Sequence, residues 1–168
     1  MACTRLLPAL LIALLASLPG LAGAQQAPRI SALSAVDRQF MQEQRDSIDE
    51  LARTELGKQL RREKFHDIAL LQTLLDRRLV RPEQVLLLQA MGVVMGDLLA
   101  QELGMNWVVY EDKLGRSRAL RYALSDDYLF PITMISRRAE VGARVDVAAI
   151  YQKALSLIQP TLPKKPFQ

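Results

Sequence analysis

Two of the arginine groups in this sequence stand beside segments expected as strands. Arg116, Arg118 and Arg121 follow the acidic pair Glu111-Asp112, and Arg137-Arg138 comes shortly after. A guanidinium meets a carboxylate or phosphate through two parallel N–H donors. Arg137-Arg138 is read first as a solvated strand end; the functional alternative is an anion site, with Arg116, Arg137, Arg138, Asp112 and Trp107 as the candidate contact patch. Two carboxyls can also do acid–base chemistry, but they must flank the substrate. Glu111 and Asp112 are adjacent and would point to opposite faces of a strand. Asp112 is instead expected to hydrogen-bond the backbone of a turn, with Arg116 closing that turn. Trp107, the one tryptophan, is expected in the core; an exposed ring would mark a ligand surface.

Other chemistries lack their residues. His66 is the one histidine, set between Phe65 and Asp67 where a helix is expected to start. It is read as a helix-start or surface residue rather than a general base. There is no G-x-S-x-G elbow, phosphate loop, dinucleotide fingerprint or EF-hand loop. Cys3, the one cysteine, lies near the N-terminus, so one histidine alone remains for a zinc site. No cofactor, metal or catalytic residue is expected.

The first 24 residues read as a cleaved secretory signal. Arg5 gives the positive start, Leu6 to Leu18 the apolar run, and Ala22-Gly23-Ala24 the small-x-small cleavage pattern. The run is short for a membrane anchor. Gln25, not a cysteine, follows the cleavage point, so no lipid anchor is expected there. The mature chain of 144 residues is then expected in the periplasm or outside the cell, without a disulfide. Half of the chain is hydrophobic, so one domain can bury a sizeable core. The net charge is +4; losing Arg5 leaves 21 basic against 18 acidic residues, or +3. The signs are interspersed, and with export they argue against nucleic acid.

The elements that would position the arginines follow from periodicity. Residues 25–33 are expected as a linker and 34–66 as an N-terminal helical extension. Ser34 to Leu56 carries Phe40, Met41, Ile48 and Leu51 roughly on one side. Asp67 is expected to cap a second helix. Val85 to Leu103 is apolar on nearly every side and reads as a buried helix stopped by Gly104. Gly92 and Gly96 lie one turn apart and would let another backbone come close. Trp107 to Tyr110 and Arg118 to Leu124 predict a hairpin about Asp112-Lys-Leu-Gly115. Tyr128 to Ser136 is expected as a third strand, at an edge or bulged because Pro131 cannot donate. Asp146 would cap a last helix, Val147 to Ile158, and residues 159–168 are expected as an extended basic tail. The fold class is α+β: N-terminal helices and a buried central helix on a three-stranded antiparallel meander, then a C-terminal helix.

Leu88-Gln-Ala-Met-Gly-Val-Val-Met-Gly96, Trp107, Glu111-Asp-Lys-Leu-Gly-Arg116 with Ala119-Leu120, and Phe130-Pro-Ile-Thr-Met-Ile-Ser-Arg-Arg138 occur in that order. This series resembles the bacterial domain-of-unknown-function family numbered 3806, from about Asp67 to Ile158. The family's Pro-Gly-Thr-like turn is replaced here by Ala123-Leu-Ser-Asp-Asp127. The resemblance implies a fold, and no activity or catalytic residues. The expected function is a non-enzymatic periplasmic interaction module, its partner a protein or an envelope component, with no membrane span after signal cleavage. The alternatives are a small carboxylate-dependent enzyme acting on envelope material, and an anionic envelope-surface binder using the arginines and the basic tail. Nothing in the sequence sets an oligomeric state.

Overall fold

The computed structural model describes residues 27–159. The leader expected over 1–24 and the tail beyond 159 lie outside the described residues. The order is β1 (Arg29–Ala32), α1 (Ala35–Leu56), α2 (Lys64–Asp76), α3 (Val85–Leu103), β2 (Asn106–Asp112), β3 (Gly115–Arg121), β4 (Tyr128–Leu129), α4 (Ile132–Glu140) and α5 (Val147–Ile158). The fold is α+β. Its sheet is antiparallel, in the order β1-β2-β3-β4.

α3 is the centre. Eleven of its residues, from Leu88 to Leu103, are buried, consistent with apolar side chains all round the helix. By length and composition it could cross a membrane, with a mean hydropathy of 1.3 over its most apolar stretch. In the fold it lies in the core, packed on α1, α4, α5 and α2. Length alone therefore does not separate it from a span; packing does. α1 buries a stripe, Asp37, Met41, Ile48 and Ala52, spaced for one helical face. Ile48 and Ala52 join the same cluster as α3, so α1 shares the main core. Tyr151 of α5 is fully buried, and its hydroxyl donates to the Leu98 carbonyl and to Glu102 Oε2 (3.2 and 2.7 Å).

Three expectations are corrected. The region 25–33, read as a linker, contains β1, which pairs with β2 from Arg29↔Glu111 to Ala32↔Val108. That makes four strands rather than three. The long strand expected over Tyr128–Ser136 is two residues of β4 followed by α4. Pro131, with φ −62° and ψ −32°, is the N-cap of α4 rather than an edge-strand residue. Proline's ring sets φ for a helix start, where its missing N–H costs nothing. Ile135 and Ala139, four residues apart, then face the core. Finally, α2 starts at Lys64, with Glu63 rather than Asp67 at its N-cap. Asp67 sits in the first turn and accepts from the Arg61 and Arg62 amides (3.0 and 2.8 Å), tying down the preceding loop. His66 Nδ1 lies 2.8 Å from Asp67 Oδ1, at the start of this helix.

Gly92 acts as the sequence suggests, admitting another backbone, whereas Gly96 makes room for a side chain. A Cβ at Gly92 would run into the Ile132 carbonyl and come within 2.7 Å of the Pro131 carbonyl. One at Gly96 would run into the Trp107 ring. The two glycines let α4 and the start of β2 press against α3.

Candidate functional site

Ser34 caps α1 and builds the first part of the site. Its Oγ accepts from the Asp37 amide (3.1 Å), and Asp37 Oδ2 accepts from the Ser34 amide (3.0 Å), a reciprocal capping box. Asp37 is 1 % exposed. Its Oδ2 also takes Arg116 Nη2 (2.6 Å), and its Oδ1 takes Arg118 Nε (3.0 Å). The hydrogen bond from Arg116 is the largest influence on this carboxyl. Burial opposes it, the Ser34 bonds reinforce it, and the net pKa falls well below the usual carboxylate range. Arg118 also lies over the Phe40 ring, 4.2 Å from its centroid. One buried carboxylate thus fastens α1 to β3 through two guanidiniums.

The hairpin brings these arginines to a cleft. Asp112 Oδ1 accepts from the Leu114 amide (2.8 Å), the turn role expected of it. Arg116 does not close that turn; Asp37 claims it, and the outer half of Arg116 stays in water (side chain 45 % exposed). The cleft encloses ≈ 570 Å³ between the hairpin and α4. Tyr110 and Phe130 line it, packed edge to face at 5.3 Å. Asp112, Arg116 and Arg118 line the hairpin side, and Arg137 the α4 side. Arg137 is exposed and makes no ion pair among the described residues.

Of the five residues expected as a patch, the fold brings Asp112, Arg116 and Arg137 together. Arg138 turns back along its own helix, where Nη1 donates to the Met134 carbonyl. Both arginines sit on α4, not at a strand end, so neighbours in sequence diverge around the helix. Trp107 is half-buried against Gly96, and its Nε1 donates to Asp97 Oδ1 (2.9 Å). The same carboxylate accepts both Arg45 Nε and Arg45 Nη2. That hydrogen bonding raises the Arg45 pKa against the opposing effect of burial. Sequence reasoning missed Asp37 and Arg45 as partners. The Ser34-x-x-Asp37 spacing was a signal for the cap; neither ion pair had one.

A second hollow, of ≈ 280 Å³, is lined by Asp49, Asp67 and Asp97 among others. Each is already engaged: Asp49 by the Leu60 amide (2.7 Å), Asp67 by the Arg61 and Arg62 amides, Asp97 by Arg45 and Trp107. Elsewhere, burial works to raise the Glu102 pKa. The Tyr151 hydroxyl and the Lys64 ammonium outweigh it, and the net shift is down. Asp37 and Glu102 are thus both held ionised, the reverse of a general acid. No cluster of three or more metal-ligating side chains occurs among the described residues.

The family model described as Domain of unknown function (DUF3806) matches residues 67–151, just over half of the chain. The chain belongs to this family. The DUF3806 match begins in α2 and ends in α5. It includes Arg116, Arg118 and Arg137, whereas Asp37, with β1 and α1, lies outside it. A crystal structure of a protein from Bacteroides thetaiotaomicron VPI-5482, at 1.50 Å resolution, is similar in fold, with a TM-score of 0.70. It is 18% identical, over 80% of this chain and 49% of that one. The DUF3806 protein therefore spans about half the length of this relative. No curated protein matches it.

Proposed function

We propose that this DUF3806 protein is exported and works in the periplasm as a non-enzymatic interaction module, with the arginine-lined cleft as its contact surface. The carrying observation is Arg137: exposed, without an ion pair among the described residues, and sharing a cleft with the outer half of Arg116. An unpaired guanidinium beside a concave surface is well suited to recognise a carboxylate or phosphate. The leader pattern in residues 1–24 supports the compartment. The carboxylate-enzyme alternative gains no comparable support, because three of the four carboxyls of the second hollow, Asp49, Asp67 and Asp97, are engaged by backbone amides, Arg45 and Trp107, and the fourth, Asp46, accepts from Gln42.

The test is affinity capture from a periplasmic extract. Protein starting at Gln25 is compared with its Arg137→Glu variant, both shown to be folded by circular dichroism. A partner held by the first and lost by the second is the expected result. Equal capture by both, or capture by neither, overturns the cleft as the contact surface.

A further inference from the structure

β3 is only half covered on the side away from β2. β2 pairs with all of it, from Asn106↔Arg121 to Asp112↔Gly115. β4 pairs only with Leu120 and Arg121. Among the described residues, no strand lies beside Gly115–Ala119 on that side. The two-residue turn fixes which groups face this edge. It makes Asp112 and Gly115 a hydrogen-bonded pair, and such pairs alternate along an antiparallel ladder. Residues 115, 117 and 119 therefore turn their backbone groups toward β2. Arg116 and Arg118 turn theirs to the open edge, and no backbone hydrogen bond crosses it from either.

That edge forms one side of the cleft, and Ile132, Thr133 and Arg137 of α4 line another. The cleft carries an excess of positive charge. Three arginines stand against two carboxylates: Arg116 and Arg118 share Asp37, Asp112 is held by the Leu114 amide, and Arg137 has no ion pair among the described residues. α4 also begins with no side-chain cap, so the positive end of its dipole is not offset there.

We infer that the open edge of β3 takes an added strand: an extended, acidic segment of a partner protein, bonded to the backbone of Arg116 and Arg118, with its carboxylates against Arg137 and the outer half of Arg116. This rests on the cleft being the contact surface, and it adds how the partner is read. Main-chain bonding supplies affinity in strand addition, and side-chain chemistry supplies choice. A second copy of the chain is the poorer occupant. Pairing β3 with β3 would set arginines against arginines, and facing like charges are destabilising.

The probe is a display library of random eight-residue linear peptides, selected against the protein at low salt. Selected peptides are expected to be rich in Asp and Glu. The best of them should slow amide hydrogen exchange at Arg116 and Arg118 by about tenfold or more. Alternate amides of a strand face opposite sides, so N-methylation of one of the two alternate sets of peptide amides should abolish binding, and Arg137→Glu should weaken it about tenfold. Three results overturn strand addition: no acidic peptide selected, unchanged exchange at both amides, or undiminished binding of both N-methylated peptides. If both N-methylated peptides bind but Arg137→Glu weakens binding, the contact surface stands and strand addition falls. If Arg137→Glu changes nothing, both fall. Protection of the two amides by dimerisation, without peptide, would assign the edge to a second copy instead.

Discussion

Asp37 bears more of the structure than its place near the start of a helix suggests. It caps α1 and holds Arg116 and Arg118 at once. Asp37→Asn keeps the shape and removes the charge. It should lower stability at pH 7 by about 2 kcal/mol, below the full cost of breaking a buried pair because Arg116 remains half in water. Urea denaturation measures this. The pH dependence has a definite sign. The folded pKa lies below the unfolded one, so the unfolded chain takes up the proton first as pH falls. The contribution of Asp37 is whole above about pH 4 and is lost as pH drops from there toward the folded value. Wild-type stability should decline over that acid range, and the decline should be shallower in Asp37→Asn. Equal slopes would show that this carboxyl is not the one being titrated.

The element that departs furthest from its sequence pattern is α4. Tyr128, Phe130, Ile132 and Met134 alternate as in a strand, and most of the segment favours β structure. Ile135 and Ala139 satisfy a helical face equally well, and Pro131 starts it. The contact with α3 favours the helix, because Gly92 leaves room for the Pro131 and Ile132 backbone. Gly92→Ala should force α3 and α4 apart and cost about 3 kcal/mol, since the obstructing atoms are main chain. Gly57→Ala is the control. Gly57 ends α1 with φ 62° and has nothing within 4 Å of an added Cβ, so only backbone strain remains, about 1 kcal/mol. Urea midpoints should rank the two variants in that order; a reversed ranking would remove close approach as the role of Gly92.

For the whole molecule, α1 and α3 hold the sheet and the C-terminal helices in one core, so the cleft is a junction of distant parts. β3, α4 and, behind them, the start of α1 meet there. A change at the start of α1 should therefore be felt at the cleft even though α1 lies outside the DUF3806 match. The proposed compartment makes a separate prediction. Expressed in a Gram-negative host, the protein should appear in the periplasmic fraction with a mass starting at Gln25, or at its pyroglutamate form. Full-length protein in washed membranes would count against the leader reading.

Much of the fold was legible in the sequence because its signals are local. All-round apolarity marked α3 as buried, Gly104 marked its end, Asp112-Lys-Leu-Gly115 marked the hairpin, and Asp146 marked the start of α5, where its Oδ1 accepts from the Ala149 amide. Each rests on backbone preference or periodicity within a few residues. The arginines were legible as chemistry but not as geometry. Which carboxylate they meet is decided 79 and 81 residues away in the chain, at Asp37. Which of Arg137 and Arg138 faces the cleft turns on α4 being a helix. That β3 is left with an open edge turns on β4 stopping after Leu129. Only tertiary structure decides these, because long-range pairing is selected by packing and charge in three dimensions, and single-sequence periodicity carries no record of the partner.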